Sequence, residues 1–192
     1  MNTLTLWHGG RDLEHDYKKF LPAKGLWEHG PGLYLTTSYL RARQYAKGGG
    51  TTYSVTVEEG KDIENVKIPI EKIADFISEN AIKNKRTKLL EDVHSNMKRM
   101  NSTSCIKAEY FLNLCINLEA IKKNNTAKLC DFLVENGCDY GFTKNYGGSG
   151  ETVMVVYNRE KIKSVKKVAA KEVHLDSYSL DCSFVMKKGL TP

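Results

Sequence analysis

Hydrophobic residues along the chain occur in short runs near both ends and in helical spacing between them. The short apolar runs of the first third predict three buried strands, around residues 4–7, over 32–37 and over 51–57. Between the last two, Ser38 can cap a helix that continues to about Lys47, where the glycines at 48–50 would end it. We therefore expect the first third to run strand, loop, strand, helix, strand.

The middle third carries apolar residues at every third or fourth position, which is typical of helices with one buried face. This spacing predicts helices over 71–82, around 111–121 and from 125 to a stop at Gly137. The last third predicts strands again, over 141–144, 152–157, 162–168 and 173–185. No internal repeat is evident. The pattern as a whole predicts an α+β fold, with strands at both ends of the chain and helices between them.

The size and composition of the chain fit one domain over 1–192. Its 192 residues, of which 41% are hydrophobic and 27% charged, are enough to form a packed core. No apolar run approaches the roughly 20 residues that cross a bilayer. The N-terminus also lacks a basic region followed by an apolar stretch. We therefore expect a cytoplasmic protein that has no membrane contact.

The cysteine pattern gives no sign of a metal site. The chain contains no Cys-x-x-Cys pair, and its cysteines are spread over positions 105, 115, 130, 138 and 182. A reactive thiol is one interpretation of any single cysteine, and a small buried hydrophobic side chain is the commoner one. We therefore expect no bound metal.

The formal charge of +6 is concentrated in two basic stretches. Residues 83–99 hold six basic and two acidic side chains, and residues 159–171 hold six basic side chains and one acidic side chain. Such stretches can contact the phosphates of RNA or DNA or an acidic protein surface, and they can equally be solvated faces. The charge therefore leaves a nucleic-acid partner and a protein partner open.

The motifs of several familiar enzyme classes are missing from the sequence. The glycine-rich stretches at 48–50 and 147–150 lack the Gly-x-Gly-x-x-Gly spacing of dinucleotide-binding turns, and there is no phosphate-binding Gly-x-x-x-x-Gly-Lys-Ser/Thr loop. The sequence also has no Gly-x-Ser-x-Gly nucleophile elbow and no His-Glu-x-x-His zinc motif. Rossmann enzymes, P-loop NTPases, common hydrolases and metalloproteases are therefore disfavoured.

Four residues with polar or aromatic side chains remain as candidates for chemistry. His8 ends the first predicted strand, Tyr34 lies in the second, Tyr45 lies on the first helix, and Glu151 opens a strand after a glycine-rich loop. Taken singly, the histidine can be structural, the tyrosines can be core aromatics and the glutamate can be a solvated strand end. Their combination is more informative than any one of them.

This combination resembles the ADP-ribosyltransferases of the diphtheria-toxin and poly(ADP-ribose) polymerase type, whose three motifs are known as His-Tyr-Glu. The first motif is Leu6-Trp7-His8-Gly9-Gly10-Arg11, and the second is Gly30-Pro31-Gly32-Leu33-Tyr34-Leu35, which continues to Ala42-Arg43-Gln44-Tyr45. The third is Glu151 with the Thr-Val-Met-Val-Val run that follows it. The resemblance implies a split mixed β-sheet of the ADP-ribosyltransferase fold, with a helical insertion over about 58–139 between the second and third motifs.

The resemblance also implies a role for each motif residue in binding NAD+, the co-substrate of this family. His8 would bond a ribose hydroxyl on the adenosine side of NAD, and the backbone of Gly9 would hold the nicotinamide carboxamide. Tyr34 and Tyr45 would stack on the nicotinamide ring, which attracts aromatic faces because it is cationic. Glu151 would bond the 2′-hydroxyl of the nicotinamide ribose and stabilise the positive charge that develops as nicotinamide leaves.

One position departs from the family pattern, since Ala42 stands where polymerase-type members carry a serine that bonds the carboxamide. By the resemblance, the protein is expected to transfer ADP-ribose, one unit per site, from NAD to a nucleic acid or a protein and to release nicotinamide. Its small size is typical of a bacterial or phage toxin or defence effector, with an antitoxin protein as a further partner. The alternative is a catalytically silent member of the fold that binds NAD, nucleic acid or a protein.

Overall fold

The computed structural model of the chain describes residues 2–10, 13, 28–46, 50–146, 150–169 and 173, with the backbone alone at 145 and 146. Its strands and helices follow in chain order as β1 (Thr3–Gly10), β2 (Leu33–Thr36), α1 (Tyr39–Tyr45), β3 (Thr51–Glu58), β4 (Lys67–Pro69), α2 (Ile70–Asn80), α3 (Arg86–Arg99), β5 (Cys105–Lys107), α4 (Ala108–Asn117), α5 (Thr126–Glu135), β6 (Tyr140–Tyr146), β7 (Glu151–Val156) and β8 (Ile162–Lys167). The fold class is therefore α+β, which confirms the prediction at that level. The strand predicted over 173–185 lies outside the described residues, apart from position 173.

The chain divides into two compact units. The first comprises 33–59 together with the described parts of 1–19 and 142–192, and the second comprises 60–141 together with the described part of 20–32. Each unit is described by itself below. None of the described helices is long and apolar enough to cross a bilayer.

A six-stranded sheet in the order β6-β7-β2-β1-β3-β8 forms the first unit. Four of its pairings are antiparallel, namely β1 with β2, β1 with β3, β2 with β7 and β3 with β8. β1 and β3 pair along their whole length, whereas the register between β1 and β2 joins one pair of residues, Trp7 and Thr36. We call the place where β1 and β2 meet around Trp7 and Thr36 the β1–β2 junction. The sheet is held together there by few backbone bonds.

Helix α1 packs on β1 and covers one face of the sheet. Ser38 starts this helix because its Oγ accepts a hydrogen bond from a backbone N–H of the first turn. The buried side chains of Tyr39 and Ala42 pack on Trp7, and the rings of Trp7 and Tyr39 meet edge to face with their centroids 5.1 Å apart. An added Cβ at Gly9 would overlap the carbonyl oxygen of Ala42. The close approach of α1 to β1 therefore requires glycine at position 9.

The second unit contains the same order of elements twice. Each half consists of a short strand, a helix, a 3₁₀ turn and a second helix, so that β4 and α2 lead to α3 while β5 and α4 lead to α5. The halves are joined by the antiparallel pairing of Ile68 with Ile106 and by a bridge between Ala81 and Ile121. Three phenylalanine rings, with centroids 4.5 to 6.0 Å apart, fill the core between them: Phe76, Phe111 and Phe132. This repetition of elements was not evident from the sequence.

Hydrogen bonds hold the two ends of segment 60–141 together. The Tyr140 hydroxyl donates to the Gly60 carbonyl at 2.8 Å and accepts from the Gly60 N–H at 3.2 Å. The Lys61 N–H donates to a carboxylate oxygen of Asp139 at 2.8 Å, and the Asp139 N–H donates to the Lys61 carbonyl at 2.9 Å. We call these four bonds the clasp. It places the two ends of segment 60–141 side by side.

The middle third differs from the sequence prediction in three elements. The pattern did not predict helix α3, which lies inside the basic stretch 83–99, or the short strands β4 and β5. The helices that it did predict over 71–82 and around 111–121 end earlier, at Asn80 and Asn117. They end there because the chain next extends to form the bridge between Ala81 and Ile121.

Candidate functional site

Three of the predicted site residues lie on neighbouring strands of the first unit. Strands β7, β2 and β1 are adjacent in the sheet, and they carry Glu151, Tyr34 and His8, respectively. Tyr45 is the last residue of α1 and is 62% exposed. The interpretation of Tyr45 as a core aromatic is therefore wrong. Ala42 is fully buried, with its backbone against Gly9.

The imidazole of His8 is fixed by groups on both neighbouring strands. Its Nδ1 lies 2.8 Å from the carbonyl oxygen of Tyr34, and its ring lies beside that of Tyr53, with centroids 6.3 Å apart. A carbonyl can only accept a hydrogen bond, so the proton of the neutral ring must be on Nδ1. The other nitrogen, Nε2, then carries a lone pair. It lies next to Gly10, where an added Cβ would come within 2.6 Å of Nε2.

Burial lowers the pKa of His8 below the ordinary histidine value of 6.5, because the charged ring would lose its water. The hydrogen bond to the Tyr34 carbonyl opposes this shift, and the positive charge of Arg159 adds to it. The ring is therefore neutral at pH 7. A neutral ring with its proton on Nδ1 presents Nε2 as an acceptor for a ligand hydroxyl.

The carboxylate of Glu151 is buried and held at both oxygens. The Thr36 hydroxyl donates to Oε1 at 2.5 Å, and the Arg41 Nε donates to Oε2 at 3.1 Å. Glu151 is 5% exposed, whereas the side chain of Arg41 is 37% exposed and reaches the carboxylate from α1. The solvated-strand-end interpretation of Glu151 is therefore wrong. These two contacts compensate for the cost of burying its negative charge.

Hydroxyl groups between β2 and α1 fix the backbone around Glu151. The Thr152 N–H donates to the Thr37 hydroxyl at 3.0 Å, and the Thr37 N–H donates to the Thr152 carbonyl at 3.1 Å. The Ser38 N–H donates to the same Thr36 hydroxyl that bonds Glu151, at 2.9 Å. The start of β7 is thus tied to the end of β2 by side chains as well as by the sheet.

His8 and Glu151 face opposite sides of the sheet. Trp7 and Thr36 are directly opposite each other in register and therefore share the face that α1 covers. Glu151 bonds the Thr36 side chain on that face, whereas alternation along β1 turns His8 to the other face, beside Tyr53. Within the described part of the chain, His8 forms no hydrogen bond to Glu151. A ligand that touched both would have to lie along the β1–β2 junction.

Thr36 and Arg41 are the site residues that the sequence analysis missed. Their partner, Glu151, is 110 or more positions away along the chain, so no local spacing reveals the contacts. One available signal was the run of three hydroxyl residues, 36–38, immediately before the helix cap. A buried carboxylate that starts a strand needs donors of this kind.

Three of the described cysteines are buried inside the protein. Cys115, Cys130 and Cys138 are buried, and burial raises the pKa of the Cys138 thiol to about 12, with Asp139 and Asp62 adding to the shift. Burial also raises the pKa of Cys115. A protonated thiol is a poor nucleophile, so the buried-hydrophobe interpretation holds for these residues. Among the described residues no group of three His, Cys, Asp or Glu side chains is arranged to hold a metal ion.

Comparison with known protein families, with curated proteins and with solved structures gives no match for this chain.

Proposed function

We propose that the chain is an NAD-dependent ADP-ribosyltransferase of the His-Tyr-Glu type, with the split-sheet fold of that family and with residues 60–141 as its helical insertion. It would transfer one ADP-ribose unit from NAD to a macromolecular acceptor in the cytoplasm and release nicotinamide. One observation carries the proposal. His8, Tyr34 and the buried Glu151 lie on three neighbouring strands around the β1–β2 junction.

The groups around the junction fit the polar and aromatic parts of NAD. Neutral His8 offers Nε2 as an acceptor for a ribose hydroxyl, and the absence of a side chain at Gly10 keeps that nitrogen approachable. Tyr45, at the end of α1, presents an exposed ring, and we propose that this ring stacks on the nicotinamide.

The carboxylate of Glu151 has the charge that the reaction needs. The bond between nicotinamide and C1′ of the ribose breaks, its electron pair leaves with nicotinamide, and positive charge develops on the ribose. A carboxylate already held by Thr36 and Arg41 can stabilise this charge without reorganising. The acceptor nucleophile then bonds to C1′ and loses its proton. The products are ADP-ribosylated acceptor and free nicotinamide.

The proposal is tested by incubating the purified protein with adenylate-labelled NAD and cell lysate. We expect nicotinamide release and a labelled macromolecule, which nuclease or protease treatment of parallel samples identifies as nucleic acid or protein. Glu151→Gln keeps the size of the side chain and removes its charge, so it should lower transfer by about 100-fold or more while NAD binding changes only a few-fold.

Glu58→Gln is the matched control for this variant. Glu58 lies in the same sheet, on β3, and forms an ion pair with Lys163 on the neighbouring strand β8, with 2.6 Å between the Lys163 Nζ and a Glu58 carboxylate oxygen. Neither β3 nor β8 carries His8, Tyr34 or Glu151. The control should keep transfer within twofold of the original protein. If Glu151→Gln stays folded and keeps turnover within threefold, the third motif is misassigned and the proposed reaction is wrong.

The second candidate function is a catalytically silent protein of the same fold that binds NAD, nucleic acid or a protein partner. The observation that favours it is the use of both Glu151 oxygens within the protein, by Thr36 and Arg41. A carboxylate in such a pair can be purely structural. In that case the labelled-NAD experiment would give binding of NAD without nicotinamide release.

The proposal also includes the kind of macromolecule that would accept the ADP-ribose. In the stretch 83–99, Lys85 bonds the carbonyls of Leu118 and Glu119, Arg86 Nε bonds the carbonyl of Ala81 at 3.0 Å, and Lys88 pairs with Asp92. These cations serve the second unit itself. In the stretch 159–171, Lys163 pairs with Glu58, while Lys166 and Lys167 on β8 are exposed and form no ion pair in the described part of the chain. Lys83, Lys98 and Arg99 of the first stretch are exposed as well, so both stretches offer a basic surface, and we propose the adjacent Lys166 and Lys167 of β8 as the ones to test for a nucleic-acid acceptor. A role as a toxin or phage-defence effector, restrained by an antitoxin protein, would follow from such an activity.

A further inference from the structure

We propose that the groove between α2 and α5 in the second unit binds an arginine side chain of a partner protein. The groove has a volume of 420 Å³ and is lined by residues of these two helices and by Asn136, which follows α5. It lies wholly within the second unit, and the proposed transferase site does not use it.

The rim of the groove carries more negative than positive charge. Four carboxylates and two ammonium groups line it, on Asp75, Glu79, Asp131 and Glu135 and on Lys72 and Lys128. All six residues are exposed. In the described part of the chain, none of the four carboxylates takes part in an ion pair, and the Lys72 Nζ donates to the Asn136 Oδ1 at 3.2 Å. In a chain of net charge +6, this local excess of negative charge favours a cationic ligand.

One of the residues that line the groove, Asn80, has a buried acceptor without a hydrogen-bond partner. Asn80 is 7% exposed, and its amide nitrogen donates to the Phe76 carbonyl at 3.2 Å. Its Oδ1 is buried and accepts no hydrogen bond. A buried acceptor of this kind costs free energy until a donor reaches it. The ligand should therefore bring an N–H group to Asn80 as well as a positive charge.

The geometry of the donors favours a guanidinium group over an ammonium group. Phe76 and Phe132 lie together at the base of the groove, with ring centroids 4.5 Å apart, and aromatic rings attract a planar cation. A guanidinium has five N–H donors in a flat fork, so it can bond the deep Asn80 Oδ1 and the carboxylates of the rim at once. An ammonium group has its three donors at one point. Because the rim is open to solvent, a peptide chain can pass over the groove while its arginine enters.

The proposal is tested by titrating the full chain with acetyl-Ala-Arg-Ala-amide and following backbone and side-chain amide signals by NMR. Binding should shift the signals of Phe76, Asn80 and Phe132. The matched peptide with uncharged citrulline, which keeps most of the shape, should bind about tenfold more weakly or worse, since hydrogen bonds to charged groups are roughly twice as strong as neutral ones. Spermidine, tested separately, should bind more weakly than the arginine peptide.

Two variants test the contribution of Asn80 and the contribution of the rim carboxylates to binding separately. Asn80→Leu removes the acceptor, and Glu79→Gln with Glu135→Gln removes two exposed charges without touching the core. Each variant should weaken binding of the arginine peptide about fivefold or more. Glu64→Gln with Glu71→Gln removes two exposed charges of the same unit outside the groove, and it should change binding less than twofold. Equal affinity for the citrulline peptide, tighter binding of spermidine, or shifts away from the groove would each overturn the proposal.

Discussion

At the scale of single residues, the environment of His8 determines both its charge and its tautomer. The Tyr34 carbonyl requires the proton on Nδ1, and burial keeps the ring neutral at pH 7. A histidine in free solution would change its charge close to pH 7 and would populate both tautomers. The protein therefore presents a defined acceptor at Nε2 at the cost of stability in acid.

The depressed pKa of His8 predicts a pH dependence of folding stability. Below the ordinary pKa of 6.5 the unfolded chain takes up a proton that the folded chain resists, so the free energy of unfolding falls as the pH drops through the folded pKa. The contribution is fully present above pH 6.5. His8→Asn keeps a donor for the Tyr34 carbonyl and cannot titrate in this range, so urea unfolding between pH 7.5 and 5 should show a smaller loss than in the original protein.

His94→Asn is the control for this measurement. His94 is exposed on α3, and its Nδ1 also bonds a backbone carbonyl, that of Leu90, at 2.9 Å. Its substitution removes an exposed imidazole that makes the same kind of backbone contact, and the slope of stability against pH in this variant is the reference for His8→Asn. If the slope of unfolding free energy against pH is the same in His8→Asn and in the original protein, then protonation of His8 does not contribute to the loss of stability in acid.

Tyr45 allows a sharp separation between ligand binding and folding. Because it is 62% exposed, Tyr45→Ala should change the free energy of unfolding by no more than about 0.5 kcal/mol. If its ring stacks on nicotinamide, NAD binding should weaken by about 1 kcal/mol, the scale of an aromatic contact, in calorimetry. Leu40→Ala, at a 52% exposed position of the same helix, should leave NAD affinity unchanged. Equal NAD affinity in both variants would remove Tyr45 from the site.

At the scale of elements, helix α3 shows how a charged segment can still be part of the core. Its buried apolar side chains, Leu89, Val93 and Met97, recur every fourth residue and form one apolar stripe on a largely polar helix. The opposite positions carry the basic residues that suggested a phosphate surface. The stripe, rather than the charge, determines where this helix lies.

Leu89→Ala should therefore destabilise the second unit strongly. Leu89 is fully buried, and removing its side chain leaves a cavity that costs about 2 to 5 kcal/mol of unfolding free energy. The neighbouring Leu90→Ala, at a half-buried position, should cost about 1 kcal/mol or less. Thermal or urea unfolding of the two variants checks the difference. Equal effects would mean that the apolar stripe of α3 does not face the core.

Elements of the first third were predictable because their signals are local. The apolar runs of β1 to β3 and the Ser38 cap of α1 are visible within a few residues of sequence. Helix α3 was not predicted because four apolar residues among many polar and charged ones do not stand out in the composition. Strands β4 and β5 have three residues each, and their pairing depends on a partner strand almost forty residues away.

The site was predictable to a similar extent. The motifs around His8 and Tyr34 placed both residues on strands, and the structure brings these strands together. The partners of Glu151 depend on the register of β2 with β7, which joins Thr36 to Val153 across more than a hundred residues. Such a register follows from the packing of the whole sheet. Neither Thr36 nor Arg41 could therefore be assigned from spacing.

At the scale of the whole molecule, the net positive charge is the sum of cations that have different local roles. Several cations of the stretch 83–99 bond backbone carbonyls of the second unit, and Arg159 is buried. Among the described strands, β8 is the outermost one beside β3, and lysines on an outer strand also discourage edge-to-edge association. The exposed Lys166 and Lys167 on β8 are therefore the residues on which a nucleic-acid role can be tested.

Reversing both charges, Lys166→Glu with Lys167→Glu, should lower modification of a nucleic-acid acceptor while NAD hydrolysis without acceptor stays nearly the same. If both lysines neutralise phosphates of a single strand, the slope of log affinity against log salt should fall by about 1.4, at about 0.7 for each phosphate. Lys67→Glu with Lys107→Glu changes a cross-strand pair of exposed lysines in the second unit and is the control. An unchanged salt slope would make β8 a solvated edge.

The clasp between Gly60–Lys61 and Asp139–Tyr140 has a consequence for how this protein can be varied. Two chain ends that are bonded side by side can be joined by a short turn, because little loop-closure entropy is lost between adjacent points. Residues 61–139 should thus behave as an exchangeable module. Replacing them with a glycine-containing turn should leave a sheet that still folds, and the excised module can be grafted into a surface hairpin of another host. Lineages of this protein could gain, lose or swap the module without redesigning the sheet.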